Sequence, residues 1–307
     1  MSGGHGHGHG HGAAASSAGG RHRWRLAVSF VLIGGFFVVE LVAGLVSGSL
    51  ALLSDAGHMA ADVVTLGAAL VATRVATRPD TTGRRTYGSF RAEVFASGLA
   101  VLVMLGVATF IAVEALRRIG SEPEVASGAM ILVGAIGLVV NLIALALLRA
   151  GAGESLNVKG AYLEVVADTV GSIGVIVAGL LVVWTGQTWW DTVIALAIAA
   201  FVVVRAVMLA KEVLAVLGQH APQGVEPTEI TGALAAVPGV GDVHDLHVWQ
   251  LTSGMNVATA HLVTSEGASA HDVLDRARSE LRDRFGIAHA TLQVEPADHR
   301  GCDEVTW

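Results

Sequence analysis

Apolar residues fill six long stretches of the first 212 positions, and polar residues gather at the joints between them. The stretches run at 26–46, 49–74, 92–116, 127–148, 160–184 and 190–212. Each is long enough to cross roughly 30 Å of hydrocarbon as a helix, which takes about 20 residues. Ser47-Gly48-Ser49 joins the first two, and Gly186-Gln187-Thr188 joins the last two. Links that short force antiparallel neighbours. Beyond Gln219 the pattern changes, because Ala221-Pro222 and Glu226-Pro227 break the last helix. Residues 228–237 read as a short helix, and 242–251 and 256–263 alternate apolar with polar positions around a Ser253-Gly254 turn. Helical periodicity returns over 269–285, and 290–294 is a last strand. The order α-β-β-α-β predicts a small open α+β domain. The predicted fold is an α-helical membrane protein of six transmembrane helices with a C-terminal α+β domain. Its expected parts are a His/Gly-rich segment at 1–25, a transmembrane domain at 26–216 and a tail domain at 217–307.

Composition agrees with the pattern. Hydrophobic residues make up 53% of the 307, charged ones 15%, and mean hydropathy is +0.61, values of a polytopic membrane protein and not of a soluble enzyme. The single cysteine, Cys302, excludes an internal disulfide and a four-cysteine zinc module. Net charge is −7, spread unevenly. From His220 onward there are 13 Asp/Glu against 5 Arg, whereas the first 219 residues hold 13 Asp/Glu and 14 Lys/Arg. An acidic tail on a near-neutral membrane body argues against nucleic acid as the partner. Arg74, Arg78, Arg84, Arg85 and Arg91 cluster between spans two and three, while only Arg117 and Arg118 fall on the opposite side. The positive-inside rule then places both termini in the cytoplasm of a multi-pass cell-membrane protein. The basic N-terminal flank and the long first apolar run do not form a cleavable signal, so the N-terminus is expected to stay cytoplasmic.

Candidate chemistry lies inside the spans. His58 and Asp62 stand four residues apart in span two, and Glu164 and Asp168 repeat that spacing in span five. A helix returns to nearly the same face after four residues, so each pair aims its ligand atoms one way. Ionisable groups at bilayer depth are costly and mark ion or proton pathways. Together the pairs offer one imidazole and three carboxylates to a divalent cation, a donor set that suits zinc. With neutral His58 the four groups carry −3, and −1 once Zn²⁺ is bound. A structural carboxylate–histidine pair is the competing reading. Glu40, Glu93 and Glu114 read either as lining groups or as salt-bridged packing residues, with Arg91 the expected partner of Glu93. Asp55, one turn before His58, reads as a gate or a rim residue, and Asn141 as an interhelical hydrogen-bonding group.

Two further sets of histidines carry metal readings. His5, His7, His9 and His11 alternate with glycine, a pattern suited to loose metal capture and read here as native in preference to an appended tag. In the tail, strict alternation sends His244 and His247 to opposite faces, so the two cannot both serve one site from that strand, while His244 and His261 can meet on adjacent strands. Ordinary surface histidines are the alternative there.

These residues resemble the cation diffusion facilitators, in particular their zinc-transporter branch. GSLALLSDAGHMAAD (48–62), TYGSFRAEVFA (86–96), GLVVNLIALALL (137–148), NVKGAYLEVVADTVGSIGVIVAG (157–179) and VHDLHVWQLTSG (243–254) carry the resemblance, which covers 26–296. It implies a homodimer of six-helix protomers, each with a cytoplasmic ferredoxin-like domain, exporting Zn²⁺ in exchange for protons by alternating access. By motif, His58, Asp62 and Asp168 correspond to the transport-site ligands. Glu164 stands where zinc-selective relatives usually have histidine, and widens the expected metals to Cd²⁺, Co²⁺, Mn²⁺ or Fe²⁺. His244, His261 and Glu295 resemble metal positions of some members, although Gln293 stands where others have histidine. The loop at 74–91 lacks the histidines of a further site and has only Asp80. No organic cofactor is implied, and no nucleophile or phosphate loop points to an enzyme. A membrane metal sensor or scaffold that moves nothing is the alternative of a different class.

Overall fold

A computed structural model of the protein describes residues 13–76, 84–120, 124–150, 156–252 and 254–298. His5, His7, His9, His11 and Asp80 lie outside them. The chain forms helices α1 (Ala13–Ser47), α2 (Leu50–Ala76), α3 (Ala92–Arg117), α4 (Ser127–Arg149), α5 (Leu156–Thr185) and α6 (Trp189–Leu217). Helix α7 (Pro227–Ala235), strands β1 (Val240–Thr252) and β2 (Met255–Thr264), helix α8 (Ala270–Phe285) and strand β3 (His289–Glu295) follow. Five of the six expected spans coincide with helices long and apolar enough to cross a membrane, at mean window hydropathies of 2.2 to 2.8. These are 27–47 of α1, α3, α4, 161–185 of α5, and α6. The expected second span falls on α2, which is 27 residues long. Apolar side chains face outward along these helices, with Val31, Val46, Leu132 and Trp184 all more than 60% exposed. An outer surface of that kind suits lipid, where the backbone must satisfy its own polar groups as helix.

The chain divides into two compact units, one of residues 1–66 and 100–207, the other of 67–99 and 208–307. In the first, Phe36, Leu50, Met59, Ile111, Met130 and Val175 belong to one buried cluster. Small residues let its helices approach. A Cβ on Gly57 would sit 2.1 Å from Val107 Cγ1, so only glycine lets α2 lie this close to α3. Asn141 Nδ2 donates to Ser172 Oγ at 3.2 Å, the interhelical bond expected of it, here between α4 and α5.

One polar knot was not anticipated from the pattern. Asp191, fully buried in the first turn of α6, accepts from Ser49 Oγ at 2.6 Å, Leu50 N at 2.7 Å and Ala51 N at 3.1 Å. The orphan amides at the start of α2 are thus capped by a carboxylate from another helix, with the helix dipole favouring the negative charge. Arg118 completes it, donating to Gly48 O at 2.9 Å and to Asp191 Oδ2 at 3.4 Å. Glu114 also pairs with Arg117 and Arg118, each at 3.7 Å, which fits its packing reading.

In the second unit, β1 and β2 pair antiparallel and β2 and β3 parallel, in the order β1-β2-β3. Ile230 and Leu234 of α7 and Val273, Ala277 and Leu281 of α8 share a core with Leu262 of the sheet. Helix α8 has a Ser269 N-cap accepting from Asp272 N, and ends at Gly286 with φ of 67°, a left-handed C-cap. Glu93, expected beside Arg91, accepts from Thr252 Oγ1 at 2.7 Å.

Candidate metal centre

Helical period puts His58 and Asp62 on one stripe of α2, and Glu164 and Asp168 on one stripe of α5. The structure brings three of the four together: ligand atoms of His58, Asp62 and Asp168 all lie within 4.8 Å of one another. His58 Nε2 stands 3.7 Å from Asp168 Oδ1, and the two residues are 2% and 3% exposed. A tetrahedral zinc ion with bonds of about 2.1 Å sets its donors about 3.4 Å apart, close to the 3.7 Å between His58 Nε2 and Asp168 Oδ1. Asp62 Oδ2 and Asp168 Oδ1 are buried without a hydrogen-bond donor. Carboxylate oxygens so placed carry a desolvation cost that a bound cation relieves. The Phe201 ring of α6 and the His58 ring make a T-shaped contact, their centroids 6.0 Å apart and their planes at 86°.

Glu164 is placed differently. Its carboxylate forms an ion pair with Arg205 of α6, whose Nη1 also lies 3.0 Å from His58 Nε2. Sequence reasoning passed over Arg205, although its signal was there. It is the single charge between Asp191 and Lys211 in an otherwise apolar run. Phe201 and Arg205 are four residues apart, so one stripe of α6 serves the site. The formal charge of His58, Asp62, Glu164, Asp168 and Arg205 together is −2 with neutral histidine, not the −3 of the four ligand candidates alone.

Two more acids are buried nearby. Glu40 of α1 is 0% exposed and Asp55 of α2 1%, and the Asp55 Oδ1 atom occupies space that a Cβ on Gly171 would fill at 2.0 Å. Asp55 is therefore an interior residue seated against α5, not a rim residue.

The tail holds the other group of potential ligands among the described residues: His244, His261 and Glu295, again with ligand atoms within 4.8 Å. His244 and His261 are register partners on β1 and β2, and Glu295 stands at the end of the neighbouring β3. Glu295 Oε1 lies 2.9 Å from His261 Nδ1, and Oε2 lies 3.7 Å from His244 Nε2. Gln293 donates to Glu295 Oε1 at 2.8 Å, so it orients this carboxylate. The alternation expected of β1 is interrupted. A register shift between His244 and His247 accompanies Asp245 at φ of 51°, and Asp245 reaches both His247 Nε2, at 3.0 Å, and His261 Nε2, at 3.9 Å.

Residues 26–217 match the family model for the cation efflux transmembrane domain, and residues 222–297 that for the cation efflux protein cytoplasmic domain. The chain is 41% identical to the metal cation efflux system protein CzcD of Cupriavidus metallidurans, over 91% of this chain and 88% of that protein. It is 32% identical to a cadmium, cobalt and zinc/H(+)-K(+) antiporter of Bacillus subtilis, covering 91% of each. The zinc transporter ZitB of Escherichia coli is 34% identical over 91% of this chain and 89% of its own. Among solved structures, the metal-bound C-terminal domain of the CzcD transporter is 39% identical, covers 23% of this chain and 99% of its own, and superposes with a TM-score of 0.23.

Proposed function

The chain belongs to the cation diffusion facilitator family of cation efflux proteins, and from that premise we propose that it exports divalent metal, with Zn²⁺ the favoured substrate. The observation that carries this is the convergence of His58, Asp62 and Asp168 inside apolar helices. An imidazole and two carboxylates, each carboxylate with a buried oxygen that lacks a donor, have the chemistry of a divalent-cation site. A sensor that moves nothing has no need of ligands at that depth.

The site works by competition. Unprotonated His58, Asp62 and Asp168 take the cation from the cytoplasmic side, and a rearrangement of the helices opens the site outward. Protons arriving from outside then occupy the same lone pairs and release the metal, because binding requires deprotonated ligands. Helix α2 is the sixth span in this reading, which puts both termini in the cytoplasm as the basic loops require. The functional unit is a homodimer in the lipid bilayer, and His244, His261 and Glu295 form a cytoplasmic metal site that senses load. A broader range including Cd²⁺ and Co²⁺ is favoured by the carboxylate-rich donor set.

The test is metal flux into proteoliposomes under an imposed pH gradient, across Zn²⁺, Cd²⁺, Co²⁺, Mn²⁺ and Fe²⁺. Zinc flux driven by the gradient and abolished in Asp62→Ala and Asp168→Ala is expected. Absence of zinc flux in the unaltered protein, or full flux in either variant, overturns the reading.

A further inference from the structure

The transport site already holds a cation of its own. Arg205 Nη1 lies 3.0 Å from His58 Nε2, and the same guanidinium pairs with Glu164. Arginine only donates, so His58 Nε2 accepts, and the ring proton is on Nδ1. The lone pair that would bind metal is therefore the one the guanidinium covers. His58 Nε2 also faces Asp168 Oδ1 at 3.7 Å, so a cation entering there and the Arg205 fork meet the same electron pairs. Exposure differs across the group. The side chains of His58 and Asp168 are 3% and 4% exposed, those of Arg205 and Glu164 23% and 42%. The pair thus stands at the more exposed margin of the site, where a long side chain has room to swing aside.

We propose that Arg205 is an intrinsic competitor for the metal, a positioning residue whose guanidinium holds His58 Nε2 until a divalent cation displaces it, with Glu164 as its anchor instead of a fourth ligand. The Arg205–Glu164 pair cancels its own charge, which leaves Asp62 and Asp168 at −2 to match a divalent ion. A monovalent ion leaves that balance unfilled, and so is a poor competitor for the guanidinium. On release the guanidinium returns to His58, so the emptied site is stabilised and metal binding is weakened by competition. This rests on the reading of His58, Asp62 and Asp168 as the metal site.

The experiment is a Zn²⁺ titration of the full-length protein in detergent, paired with flux in proteoliposomes. Membrane-site binding is the component lost in Asp62→Asn. Arg205→Gln frees the lone pair and makes the site more negative, so its Kd for Zn²⁺ tightens at least ~10-fold while flux at saturating zinc falls. Arg205→Lys keeps the charge on a head that cannot fork between Glu164 and His58, and gives an intermediate Kd. Arg205→Gln combined with Glu164→Gln binds at least as tightly as the unaltered protein, because an anchor without its arginine has no task. A damaged fold weakens binding, so the tightening separates this role from a structural one. An unchanged or weaker Kd in folded Arg205→Gln overturns the proposal, as does a double variant weaker than the unaltered protein. Should Arg205→Gln not fold, Arg205→Lys decides, and an unchanged Kd there overturns it. If the unaltered protein lacks the Asp62-dependent component, it is the metal reading itself that fails.

Discussion

Asp191 and Asp168 are both buried carboxylates in apolar helices, and their surroundings assign them opposite roles. Asp191 collects donors from Ser49, Leu50, Ala51 and Arg118, so its charge is satisfied by protein. Asp168 Oδ1 has no donor and faces another acceptor, His58 Nε2. Asp191→Ala strands buried amides and a guanidinium, and is expected to cost about 3 kcal/mol of stability, read as a lowered melting temperature of the purified protein. Asp168→Asn removes an uncompensated charge at constant volume. In chelator it should melt at or above the unaltered protein while transporting nothing, and a lower melting temperature would count against a binding role. The spacing of four made His58, Asp62, Glu164 and Asp168 visible in the sequence, because helical geometry acts within one segment. It could not show that Glu164 stands apart from the other three. That separation goes with its ion pair to Arg205, which comes from a different helix and meets His58 only after folding.

At the scale of elements, hydropathy placed five of the six expected spans on long apolar helices, because lipid imposes one requirement on every residue of a crossing helix. Close contacts between helices were less legible. Gly57 precedes His58, and its missing Cβ is what admits Val107 of α3. Valine is stiff at χ1 in a helix and cannot turn away. Gly57→Ala should therefore overpack the α2–α3 contact by about 1–3 kcal/mol and depress zinc flux by moving its neighbour. Val107→Ala added to it should restore both melting temperature and flux, and failure of that rescue would place the role of Gly57 elsewhere. Strand β1 shows the same limit of local reasoning. Period-two alternation is interrupted at Asp245 and again near both ends of the strand, and those shifts in register depend on pairing with β2, which no single strand reveals.

For the whole molecule, the charge contrast between body and tail is matched, among the described residues, by two groups of metal-type ligands, one in each of the two compact units. If the tail group binds zinc, adding the metal stabilises the folded full-length protein by about 2.7 kcal/mol at a free concentration 100 times Kd. That increment should be lost in His261→Ala and in Glu295→Gln, measured by thermal unfolding with and without Zn²⁺, and an increment equal to that of the unaltered protein would remove the tail site. The Asp191 knot has a mechanical consequence at this scale. It fastens the first residues of α2 and α6 to the last of α3, so these helices share a fixed point near Ser49. Asp62 lies 13 residues along α2, about 20 Å from that point at 1.5 Å per residue. A tilt of about 4° about such a fulcrum carries Asp62 through roughly 1.4 Å. A lever of this length turns a barely visible change of helix angle into a large displacement at Asp62.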